Sequence, residues 1–141
     1  MENNHLNYDV INYIIERINF YTGFNSKAFE TLSLASGLNS ELGLDGDDAN
    51  ELMADIFANF GIKSGDYDHY RYFKPEGTDI FVFFRARDRR ANAAITLGML
   101  YEAAQLKIWD CGLLEKTNFS ETPIYQSTDQ IPIGGFHINS R

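Results

Sequence analysis

The chain has 141 residues, 44% of them apolar and 23% charged, with a formal net charge of −8 at pH 7. That length and apolar content fit one hydrophobic core and exclude a wholly disordered chain, while the acidic balance disfavours a phosphate backbone as partner and favours a basic protein surface. The single cysteine, Cys111, excludes an internal disulfide, and no run approaches the ~18 apolar residues a membrane helix needs, so a cytoplasmic location is expected.

From Tyr8 onward, Ile11, Ile14, Ile15 and Ile18 recur at helical spacing, which predicts an amphipathic helix stopped by Gly23. Between Phe24 and Leu44 serine, asparagine and glycine dominate, and the stretch reads as a long connection pinned to the core by Phe29, Leu32, Leu34 and Leu38. A second helix is predicted from about Asp47, because Ala49, Leu52, Met53, Ile56, Phe57 and Phe60 share one face and Gly61 follows. Asp48 and Glu51 have the spacing of a capping box, which would start that helix.

Residues 62 to 90 carry an aromatic group, Tyr67, Tyr70, Tyr72 and Phe73, then the turn signal Pro75-Glu76-Gly77 and the run Ile80 to Phe84. That run fits either a buried strand or a short helix. Thr96 is a good N-cap, with Ile95 and Leu100 placed as a hydrophobic staple, so a helix is expected from Leu97 to about Ile108 with Leu97, Leu100, Ala104 and Ile108 on one face. Beyond Cys111-Gly112, the apolar residues Ile124, Tyr125, Ile131, Ile133 and Phe136 predict a tail that packs somewhere rather than a solvated extension.

The segment Leu42-Gly43-Leu44-Asp45-Gly46-Asp47-Asp48-Ala49-Asn50-Glu51-Leu52 resembles the signature of acyl and peptidyl carrier proteins. In that signature leucine-glycine leads to an aspartate-serine pair and a helix containing glutamate-leucine. The order of elements, a first helix, a long loop, the signature and a second helix, also resembles the carriers. With the blocks Tyr72-Phe73/Pro75-Glu76-Gly77 and Ile95 to Trp109, the chain is similar to an uncharacterised bacterial family of carrier-like proteins. The resemblance implies a mainly all-α, acyl-carrier-protein-like four-helix bundle with an irregular aromatic insertion and a C-terminal tail. It would form one domain over residues 1–141, its core at about 6–110 and its tail at 111–141.

The same resemblance places Gly46 where carriers have the serine that takes phosphopantetheine. Glycine has no hydroxyl, so no attached cofactor is expected. A divergent carrier modified at Ser36 or Ser40 is the alternative within this class.

Asp45, Asp47, Asp48, Glu51 and Asp55 lie in a run without a basic residue, and Asp48, Glu51, Asp55 and Asn59 would form a stripe opposite the apolar face. Such a stripe is ordinarily a solvated surface. By resemblance to carriers, which present this helix to basic patches on their enzymes, these five acids become the expected partner-binding residues, and the function expected is a docking or adaptor module rather than an enzyme.

Calcium binding is excluded by spacing: counted from Asp45, the fifth, sixth and twelfth positions of an EF-hand loop fall on Ala49, Asn50 and Ile56. His5, His69, His137 and Cys111 show no zinc spacing. Arg85, Arg87, Arg89 and Arg90 follow aromatics, a footprint of single-stranded nucleic-acid binding. In so acidic a chain they fit better with internal pairing or an exposed face, and nucleic acid stays the alternative function. The same arginines leave open a homodimer against the acidic helix of a second copy. Cys111 reads as a small core or border residue and His69 as a solvated histidine whose acidic neighbours would raise its pKa.

Overall fold

The computed structural model describes residues 6–23, 29–73 and 93–125. Among the described residues the protein is all-α, with α1 (Tyr8–Thr22), α2 (Gly46–Phe60), α3 (His69–Tyr72), α4 (Leu97–Leu106) and α5 (Cys111–Lys116). Two isolated bridges, Gly37 with Thr96 and Lys63 with Ile108, are its extended pairings, and no sheet forms among these residues.

The first helix begins where the Asn7 side chain accepts from the N–H groups of Asp9 and Val10, at 3.1 and 3.4 Å. It ends at Gly23, whose left-handed φ of 62° lets its N–H return to the Asn19 carbonyl at 2.7 Å. Ile11, Ile14, Ile15 and Ile18 are fully buried, as their spacing predicts. Each contributes about 1.5–3 kcal/mol through removal from water. That stripe packs against α2 and α4, whose inward residues are Ala49, Leu52, Met53 and Ile56 on one and Leu97, Leu100 and Ala104 on the other.

The long connection is irregular over its described part, residues 29–44, and Phe29, Leu32, Leu34, Leu38 and Leu44 pin it into the core. Its backbone has a second use. A helix start leaves N–H groups without partners, and here Leu97 N–H donates to the Ser36 carbonyl at 3.0 Å and Gly98 N–H to the Leu34 carbonyl at 2.7 Å. Thr96 Oγ1 accepts from Met99 N–H at 3.3 Å, so the predicted cap is present.

Three boundaries differ from the sequence expectation. Asp45, not Asp48, caps α2 by accepting from Gly46 N–H at 2.8 Å, so Asp48 falls inside the first turn and the capping-box reading is displaced by three residues. The cause lies at Gly46: its φ of 57° lets the chain turn into the helix early.

The fourth helix stops at Leu106, because Lys107 adopts a left-handed φ of 67°. This turns the backbone so that Lys107 C=O accepts from Lys63 N–H at 2.9 Å and Trp109 N–H donates to Lys63 C=O at 3.0 Å. Ile108 is therefore 40% exposed rather than on the apolar face, while Trp109 is buried.

The core also extends past residue 110. Leu114 is buried on α5, and Ile124 and Tyr125 return to the long connection and the first helix: Ile124 N–H donates to Leu32 C=O at 2.8 Å and Tyr8 Oη donates to Ile124 C=O at 2.9 Å. The predicted tail is thus part of the core as far as Tyr125. Arg85, Arg87, Arg89 and Arg90, the run Ile80 to Phe84, His5 and His137 lie outside the described residues.

Candidate functional site

The expected docking residues gather at the start of α2. Asp45, Asp47, Asp48 and Glu51 are all exposed, with Asp47 and Asp48 in the first turn, where carboxylates complement the positive end of the helix dipole. Gly46 stands among them in its left-handed conformation. It offers no hydroxyl, and an L-residue there would carry strain.

Asp55 separates from the other four. It is half-buried, and its Oδ2 lies 2.6 Å from Arg17 Nε while its Oδ1 accepts from Tyr13 Oη at 3.0 Å. Arg17 is itself covered by Phe20 and Tyr21, its guanidinium 4.7 and 5.7 Å from their ring centroids. Burial, then Asp55, pushes the Tyr13 phenol up, so its proton stays available to donate. Asp55 joins two helices, and its carboxylate is already engaged.

The two alternative serines differ. Ser36 is buried and its hydroxyl accepts from Ser33 N–H at 3.0 Å, which removes it from the reach of a modifying enzyme. Ser40 is exposed, its N–H held by Asn39 Oδ1 at 2.9 Å.

A second cluster, which the sequence reading left as an irregular aromatic stretch, joins α3 to α5. Arg71 Nε and Nη2 donate to the two Glu115 oxygens at 2.6 Å each, and Tyr72 Oη donates to Glu115 as well. Cys111 Sγ lies 3.3 Å from both Tyr72 Oη and Trp109 Nε1, and Cys111 N–H donates to Asp66 Oδ1 at 2.8 Å. Burial pushes the Cys111 thiol up, so it is no activated nucleophile. Arg71 holds the Glu115 carboxyl below the ordinary carboxylate range, and that ion pair is complete within the cluster. The signal available beforehand was the aromatic density of Tyr67 to Phe73. The partners Trp109, Cys111 and Glu115 come from a distant segment that spacing cannot pair.

His69 is half-buried in this region, and burial lowers its pKa against the opposing pull of Asp68. The expectation of a solvated, raised histidine is therefore corrected. Beside Glu115 a groove of about 300 Å3 runs between α4 and α5, lined by Thr96, Met99, Leu114, Thr117 and Phe119 among others. Among the described residues no group of three or more His, Cys, Asp or Glu is placed to hold a metal ion, and no helix is long and apolar enough to cross a membrane.

A family model described as "Protein of unknown function (DUF1493)" matches residues 3–110. No curated protein and no solved structure matches the chain.

Proposed function

The chain belongs to that family, DUF1493, and we propose that it is an acyl-carrier-protein-like adaptor that docks a basic protein surface through the acidic start of α2 and carries no phosphopantetheine. The observation carrying this reading is the pairing of Gly46 with its neighbours: four exposed carboxylates surround a position that has neither a hydroxyl nor a backbone suited to serine. The order of elements supports the carrier likeness, since a first helix and a long core-pinned loop precede α2. Asp55 is half-buried against Arg17, whereas Asp45, Asp47, Asp48 and Glu51 are exposed, and these four form the proposed docking face.

Exposed charges of one sign steer encounters with an oppositely charged surface and set their salt dependence. The partner of such a face presents lysines or arginines, and its association weakens as salt rises. The covalent half of the reading is tested by incubating the protein with coenzyme A and a promiscuous phosphopantetheinyl transferase. An unchanged intact mass is expected; a gain of one phosphopantetheine would show a true carrier, with Ser40 the first hydroxyl to inspect.

A further inference from the structure

The half-buried His69 is flanked by aromatic rings. Its ring centroid lies 5.0 Å from that of Phe73, 5.8 Å from Tyr70 and 6.1 Å from Tyr67. Its Nδ1 lies 3.0 Å from the Tyr67 hydroxyl, and that hydroxyl has no other hydrogen-bond partner among the described residues. Burial holds the Tyr67 phenol well above its ordinary pKa, so the phenol keeps its proton. With no other acceptor for the phenol proton among the described residues, the arrangement that pairs it has Nδ1 accepting, in a neutral imidazole with its own proton on Nε2.

Tyr67 is the hub of a larger cluster. It stacks on Tyr72 at 5.9 Å and 20°, meets Trp109 edge-on at 5.2 Å and touches Phe57 at 5.2 Å. Through these contacts it joins α3 and the turn between α4 and α5 to α2.

We propose that His69 is an acid-sensitive latch on this cluster: a proton on Nδ1 removes the acceptor of the Tyr67 hydroxyl, leaves a partly buried phenol O–H without its protein partner and loosens α3 and the α4–α5 turn from α2. A donor withdrawn from water is costly to leave unpaired, so the partly buried Tyr67 hydroxyl favours the neutral imidazole. Among the described residues the charged groups near the latch are few. Asp68, next in the chain, favours the imidazolium. Arg71 on α3 is turned to Glu115, and Phe57 and Phe73 are uncharged rings. Cys111, against Tyr72 and Trp109 of the same cluster, is a thiol that burial keeps protonated. Burial outweighs Asp68 and holds the imidazole below its ordinary value of 6.5, so the latch is closed at neutral pH and opens as pH falls below that value.

Trp109 is the chain's one tryptophan, so its emission reports on the cluster directly. The full chain is titrated from about pH 8 to about pH 5, the range in which histidine changes charge, following Trp109 fluorescence and the histidine ring protons by NMR. The emission should shift in step with His69, lose the transition in His69→Gln and keep it in the double variant His5→Gln/His137→Gln. Tyr67→Phe, which removes the hydrogen bond favouring neutral imidazole, should move the His69 midpoint to higher pH. A flat emission, a transition that survives His69→Gln or is lost in the double variant, or a midpoint not raised by Tyr67→Phe would overturn the proposal.

Discussion

Arg17 Nε meets Asp55 Oδ2 at 2.6 Å across the α1–α2 interface, and Tyr13 donates to the other oxygen of the same carboxylate. Asp55 thereby acts within the fold, tying α2 to α1, as Asp45 does at the helix cap. Replacing it by alanine leaves a guanidinium and a phenol without their acceptor, so Asp55→Ala is expected to cost about 1–2 kcal/mol. Asp48→Ala, on the exposed face, should stay within about 0.5 kcal/mol of wild type. Urea denaturation of the two variants side by side makes the distinction.

Gly46 has a φ of 57°, a conformation that L-residues adopt at a cost. Restoring a serine there is expected to destabilise the protein by about 1–2 kcal/mol. Gly46→Asn should cost less, because asparagine tolerates the left-handed region better. Denaturant midpoints at constant m-value would show both losses and their order.

Gly98 is held closely at the start of α4. A Cβ on it would come within 2.5 Å of the Phe119 ring and 2.8 Å of the Leu34 carbonyl oxygen. The ring can give way, but the carbonyl receives the Gly98 N–H that anchors the loop, so the clash falls on backbone. Gly98→Ala is expected to lower stability by about 1–3 kcal/mol, as overpacking does, and to lower the thermal midpoint accordingly.

The Arg71–Glu115 pair sets a different pH dependence from His69. Arg71 holds the Glu115 carboxyl below its ordinary 4.5, so the folded chain keeps this charge to lower pH than the unfolded chain does. The stability it contributes is complete above pH 4.5 and is lost as pH falls through the lower folded value. Glu115→Gln should therefore be less stable than wild type at neutral pH, by about 1 kcal/mol for so exposed a pair, with the gap closing in strong acid. Thermal melts across the acid range measure the closing.

Much of the core was legible because periodicity marks it: the isoleucine stripe of α1, the Ala49 to Ile56 face of α2 and the Thr96 cap all stand as read. The exceptions are positions where backbone conformation overrides pattern. Ile108 continues the α4 spacing, yet Lys107 turns left-handed and pairs its carbonyl with Lys63, a long-range bond invisible to local spacing. Asp55 shares the polar stripe of Asp48 and Glu51, and only the approach of α1 distinguishes it. The Tyr67–His69–Trp109–Glu115 region was illegible for the same reason, since its members meet through tertiary contact between separate segments.

The docking account turns on the four exposed acids at the start of α2. Immobilised wild-type protein and the variant Asp45→Asn/Asp47→Asn/Asp48→Asn/Glu51→Gln are used in parallel to capture partners from the native host, with Asp9→Asn as a charge control on α1. The account predicts a partner with a basic surface that is retained by wild type and the control, released by added salt and lost with the fourfold variant. A partner held equally by the fourfold variant would contradict it.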